Sequence, residues 1–254
     1  MRHEQPAIPA ARNRLAYDAI YWTLAHPALW NSFDRIRVQI IGRLPHPDDG
    51  PLICYFNHPA WWDLYMGMVI DRHVLRSRFA TYGMVEEPQL RAYPFFRLCG
   101  GFSVNRHHPR EAARSVAYAS HLLREKPGRA FYIFPQGAIT PNDRRPLELY
   151  TGAAHIVRRV GGAVLCPVAL RYEFRGEQRP EALIRFGPLH NAAPPLDVDE
   201  LTDEMTRRLT ASADALRAAI IAADTRDFRV LLRGRPGINR VFDQMTRWWR
   251  RLRP

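Results

Sequence analysis

In the stretch YFNHPAWWDLYMG, residues 55–67, a histidine and an aspartate stand five positions apart, His58 and Asp63. On an uninterrupted helix of ~3.6 residues per turn such a pair diverges and has no joint chemistry. Pro59 alters the expectation, because proline is favoured at the first helical position and leaves His58 as the non-helical flanking residue. From there the imidazole can fold back over the first turn toward Asp63. A carboxylate bonded to one ring nitrogen fixes the tautomer, leaves the other nitrogen as a base, and stabilises the imidazolium once it forms. With no protein nucleophile beside it, such a base would act on a hydroxyl that the substrate brings. Taken alone, the same residues fit a capping histidine beside a solvated aspartate.

A second segment bears on the choice. The run RAFYIFPQGAITPNDRRPL reads as a buried strand that stops at Pro135 and Gly137. Ligand sites in open α/β sheets form beyond the carboxyl ends of strands, and residues 52–56 deliver His58 at such an end too. Both segments can therefore face one crevice.

The elements that must position these residues follow from apolar patterning. Strands are expected near 37–41, 52–56, 79–83, 102–104, 130–134, 164–170 and 182–186, several of them continuous apolar runs, as strands buried on both faces should be. Helices are expected at 60–72, 109–124, 150–160 and 199–223, and across 12–33, where Pro27 should bend or interrupt the helix. This alternation predicts an α/β fold, a mostly parallel or mixed central sheet flanked by helices. The length, 254 residues with 46% hydrophobic content, suits one domain over 1–254.

The chain carries a net charge of +12, almost all from arginine, so an anionic partner is attracted before specific contacts form. The arginines are dispersed and no nucleic-acid-binding signature is present, so no nucleic acid is expected. The tail at 238–254 sets Trp248 and Trp249 among five arginines. That composition fits a membrane-interface helix on anionic lipid, and equally a terminal helix with its indoles on the core. Cys54, Cys99 and Cys166 are too scattered for a zinc site or a disulfide framework, and Cys166 reads as inert packing. His107 and His108 lack a third spaced ligand, so no metal is expected. No secretory signal or membrane span is legible, which predicts a cytoplasmic protein, peripheral on the inner face of the membrane.

Four blocks in order resemble those of the glycerolipid acyltransferase family, the lysophosphatidate acyltransferase-like enzymes with an H-x4-D motif. They are Asn57, His58 and Asp63; GGFSVNR, ending at Arg106; FPQGAIT, with Pro135, Gln136 and Gly137; and CPVAL, with Pro167. The resemblance spans about 52–170. It implies direct transfer of an acyl group from acyl-CoA or acyl-carrier protein, as co-substrate and without a cofactor, to the hydroxyl of a lipid acceptor. It implies His58 as general base and Asp63 as its orienting partner, with Asn57, Arg106, Pro135, Gln136, Gly137 and Pro167 around the substrates. Amides near Gly137 are candidates to stabilise an oxyanion.

The third block departs from the family. Where it carries a glutamate and an arginine associated with acceptor phosphate, this chain has Gln136 and Ile139, and Leu149, Tyr150 and Thr151 precede Gly152 without a basic residue. An amide and an alkyl group do not pair with a phosphate dianion as a guanidinium does. The expected acceptor is therefore a neutral lipid alcohol, such as a glycolipid or a glycosylated isoprenoid or carotenoid. Arg144 and Arg145 keep ordinary lysophospholipid acylation open as the alternative. Trp61 and Trp62 fit either an acyl groove or the core.

Overall fold

The structure, a computed structural model, describes residues 5–237. The basic tail at 238–254, with Trp248 and Trp249, lies outside the described residues. Among the described residues nine strands form one sheet: β1 (Arg35–Ile40), β2 (Leu52–Phe56), β3 (Ala80–Glu86), β4 (Gly101–Val104), β5 (Arg129–Ile133), β6 (Ala163–Glu173), β7 (Glu181–Phe186), β8 (His190–Ala192) and β9 (Arg229–Arg233). The order is β4-β3-β5-β2-β6-β7-β1-β9, with β8 pairing β6 beside this path. Strands β4, β3, β5, β2 and β6 run parallel, β7 is antiparallel to β6, β1 is parallel to β7, and β9 is antiparallel to β1. The expected mixed sheet is present.

Strand alternation divides the apolar side chains between two layers. Leu52, Cys54 and Phe56 of β2 join a core beneath α1 (Arg14–Ile20), α2 (His26–Ser32) and α3 (Asp63–Val69). Ile53 and Tyr55 join a second core beneath α5 (Pro109–Glu125), α6 (Gly152–Val160) and α7 (Val198–Ile221). A short α4 (Glu87–Ala92) follows β3. Every residue of β2 is buried, which explains its continuous apolar sequence. Cys54 and Cys166 face each other as paired residues of β2 and β6, both free and buried.

Of the expectations about helices, one is narrowed and one is corrected. Pro27 does not interrupt the N-terminal helix: a wider π turn over Tyr21–Ala25, with the His26 amide donating to the Tyr21 carbonyl, carries α1 into α2 and absorbs the missing proline N–H. The helix after β2 begins at Asp63 rather than at residue 60, so Pro59 is not its first residue and His58 does not flank its N-terminus. A second π turn, Ile70–Val74, prolongs α3. At the sheet edge, residues 8–13 run beside β4 and the turn before it. Ser103 N–H donates to the Ile8 carbonyl at 2.9 Å, Ile8 N–H to Ser103 Oγ at 2.8 Å, and Ala11 and Asn13 N–H to the carbonyls of Arg97 and Leu98, each at 3.0 Å.

Candidate active site

The carboxyl ends of β2, β3, β4 and β5 converge, and the segment that leaves β2 carries His58. Instead of entering a helix at once, residues 57–62 form a turn in which Asp63 N–H donates to the Ala60 carbonyl at 3.2 Å. That turn swings His58 and Asp63 together. The His58 Nδ1–H donates to Asp63 Oδ2 at 2.6 Å, and the Ala60 N–H donates to the same oxygen at 3.1 Å. The pairing expected from the sequence is present, reached through a turn rather than a helix start. The His58 side chain is 25% exposed and that of Asp63 is 0% exposed, so one partner meets solvent and the other does not.

Tyr172, on β6, completes the surroundings of the carboxylate: its hydroxyl donates to Asp63 Oδ1 at 2.6 Å. Burial pushes the Asp63 carboxyl above the ordinary aspartate range, while the donors His58, Tyr172 and Ala60 pull it back without cancelling the rise. Burial, followed by the adjacent Asp63 charge, holds the Tyr172 phenol well above its ordinary value, so it stays a donor. The sequence reading missed Tyr172, since only the β2–β6 pairing brings it to Asp63.

The backbone of His58 is held on both sides. Gln136 Oε1 accepts from the His58 N–H at 2.9 Å, and the Thr140 N–H donates to the His58 carbonyl at 2.8 Å. The loop after β5 thus straps the histidine, and the Phe134 ring lies 4.7 Å from the imidazole, centroid to centroid. Asn57 ties the segment to β6: its Nδ2 donates to the Leu170 carbonyl at 2.9 Å and its Oδ1 accepts from the Leu170 N–H at 2.7 Å.

The remaining residues divide. Arg106 reaches the loop after β5, ion-paired with Glu86 and with its guanidinium 5.8 Å from the centre of the Tyr150 ring. Gly137 has a left-handed φ of +68°, which strains any side chain, and a Cβ there would meet the Arg106 guanidinium and come within 2.9 Å of the Tyr150 ring, so the position favours glycine. The Gly137 N–H donates to the Phe134 carbonyl at 2.9 Å, closing a turn, so this amide is already engaged. Pro135 is buried and its carbonyl accepts from Tyr150 N–H at 2.8 Å. Pro167 lies inside β6, opposite Tyr55, with its carbonyl accepting from Gly187 N–H at 2.8 Å, and supports the strand rather than the crevice.

An apolar cavity of about 610 Å³, open mouth included, lies beside the dyad, lined on that side by Asp63 and not by His58. Asp63 and Phe134 lie in its wall near the histidine, and Met68, Met84, Phe96 and Tyr132 extend it between α3 and the sheet. Trp62 packs against Phe33 at 5.2 Å, ring to ring, whereas Trp61 is exposed, and neither lines this cavity. Among the described residues no three His, Cys, Asp or Glu side chains converge as a metal site, and no helix is long and apolar enough to cross a membrane.

Comparison with known proteins bears on the fold and the family. The chain is similar in fold to the crystal structure of the 1-acyl-sn-glycerophosphate (LPA) acyltransferase PlsC from Thermotoga maritima, with a TM-score of 0.54 and 15% identity over 82% of this chain and 84% of that one. No curated protein matches the chain. A family model described as Acyltransferase matches residues 35–171, a span that starts with β1 and takes in both members of the dyad, Arg106 and the strap loop. Since that match covers more than half of its length, the chain belongs to the acyltransferase family.

Proposed function

We propose that this acyltransferase moves a fatty acyl group from acyl-CoA or acyl-carrier protein to the hydroxyl of a lipid acceptor that lacks a phosphate at the site of recognition. The observation that carries the reading is the 2.6 Å bond from His58 Nδ1 to Asp63, because it leaves Nε2 of a partly exposed imidazole to receive the hydroxyl proton. Asp63 orients the ring and balances the imidazolium. The acceptor oxygen then attacks the thioester carbonyl, the C–S bond breaks, and the imidazolium returns its proton to the departing thiolate. The apolar cavity offers the acyl chain a place out of water, with the thioester at the dyad.

The phosphate-free acceptor is supported by what the polar groups of the crevice already do. The Gln136 amide oxygen holds the His58 backbone and Arg106 is paired with Glu86, while outside the crevice Arg145 is engaged by Asp214 of α7 at 2.6 Å. Ile139 presents an exposed alkyl side chain on the same loop. Work at a membrane surface, on its inner face, is supported by the exposed Leu15, Trp22 and Trp30 of the N-terminal helices and by the net charge of +12. The test is thiol release from palmitoyl-CoA in the presence of lysophosphatidate, a monoacylglycerol or a monoglycosylated lipid. Transfer to the neutral acceptors is expected, and His58→Ala should lower turnover by about 10³-fold or more while donor binding persists. A clear preference for lysophosphatidate would overturn the acceptor assignment.

A further inference from the structure

We infer that Tyr172 is a positioning residue of the acyl-transfer site, its hydroxyl holding the second oxygen of Asp63 so that the carboxylate stays ionised and turned toward His58. The inference rests on the base role read for His58. Neither the blocks of sequence resemblance nor the matched span at 35–171 reaches this residue.

Three observations carry it. The Tyr172 Oη to Asp63 Oδ1 distance is 2.6 Å, equal to that of the histidine bond on Oδ2, and Asp63 has no exposed surface through which water could replace it. One carboxylate oxygen thus serves the ring nitrogen and the Ala60 N–H, and the other serves the phenol alone. Strand alternation then separates Tyr172 from its charged neighbours. Arg171 and Glu173 face the other side of β6, where Arg171 pairs with Asp143 at 2.8 Å and with Glu173 at 2.5 Å. The phenol ring is fixed besides, 5.7 Å from that of Phe33, which also braces Trp62.

The proton logic has a definite sign. A donor on Oδ1 stabilises the carboxylate most when the imidazole beside it is neutral, the state ready to accept a proton. Removing the donor favours the protonated dyad, so His58 should hold its proton to higher pH. The other titratable groups around the same cavity are Tyr17, Tyr82 and Tyr132 and the Cys99 thiol. Burial raises Tyr17 and Tyr132, and pushes Cys99 up to about 12, so these three stay neutral near pH 7. Burial pushes Asp71, on the π turn beyond α3 and electrostatically linked to Tyr17 and Tyr132, up to about 6.

The test is Tyr172→Phe in the full chain, with histidine labelled with carbon-13 and the His58 resonance identified by its loss in His58→Ala. A hydrogen bond to a charged group moves its acceptor's proton equilibrium by about one to two pH units, and the expected rise at His58 is about one unit. The same substitution in an Asp63→Asn background should move the midpoint by less than about 0.2 unit, since the carboxylate through which it acts is gone. In turnover, the acidic limb of kcat/KM should shift upward by the same interval and the rate recover at high pH. A tyrosine that only packs would instead lower the rate equally at every pH. If Tyr172→Phe fails to fold, biosynthetic 3-fluorotyrosine, a stronger donor, should move the wild-type midpoint to lower pH. An unmoved midpoint in either experiment overturns the inference. A moved midpoint in a protein that transfers acyl groups to no acceptor would overturn the functional reading and leave the tyrosine's role in place.

Discussion

Replacing Asn57 by alanine removes the clamp that continues the β2–β6 ladder past its last backbone pair, Phe56 opposite Val168. Both bonds of that clamp are buried, one donated to the Leu170 carbonyl at 2.9 Å and one accepted from the Leu170 N–H at 2.7 Å. A buried polar group left without a partner costs about 1–3 kcal/mol, so two orphaned backbone groups set a range of about 2–6 kcal/mol. Water entering the vacated space recovers part of this, and about 3 kcal/mol is the expected loss. For a chain of this size each kcal/mol lowers Tm by about 2–4 °C, giving a drop of about 6–12 °C. Thermal melts by circular dichroism and urea titration with an unchanged m-value would measure it. Asn57→Asp refines the prediction. It keeps the acceptor for Leu170 N–H but sets a carboxylate against the Leu170 carbonyl, so it should be no more stable than the alanine variant at neutral pH and should recover as acid protonates it. An alanine variant melting within about 2 °C of wild type would refute the clamp, because no accounting of two buried bonds yields so small a change.

Two further predictions concern pH and have opposite signs. Burial pushes Asp71 from 3.8 up to about 6, against the pull of the Tyr17 hydroxyl and of Arg12 and Arg72. The fold therefore favours the protonated acid, and its contribution, present below 3.8, is lost as pH rises through 6. Asp71→Asn should add up to about 3 kcal/mol at pH 7.5 and nothing at pH 3.5, as read from urea titrations. Burial, then the Arg208 charge, lowers His190 from 6.5 to about 4, and its Nε2 lies 3.0 Å from the Tyr55 hydroxyl. The fold here favours the neutral ring, so up to about 3 kcal/mol is present above 6.5 and lost as pH falls toward 4. His190→Gln should flatten the acid limb of the stability profile, and a limb as steep as wild type would count against this role.

The parts of the molecule legible in the sequence are those where local pattern and tertiary role coincide. The apolar run at 52–56 is β2 without adjustment, because a strand covered on both faces needs apolar side chains at every position. The approach of His58 and Asp63 was legible as well, although the helix start invoked for it was not the means: the turn at 60–63 depends on Asp63 bonding back to the Ala60 amide. What stayed hidden depends on strand order. Tyr172 meets Asp63 across 109 residues, and Arg106 finds Glu86 across 20, through pairings that spacing along the chain does not encode. The short β8 and the arginine-flanked β9 carry too few apolar residues to stand out, and the cavity is a property of packing.

The segment at 8–13 has a consequence for how the molecule behaves in a crowd. By lying along β4 and the turn that leads into it, it occupies backbone groups that a neighbouring copy would otherwise recruit for intermolecular strand addition. Cleavage after Asn13 by a protease would bare this border, and the nicked protein should begin to self-associate.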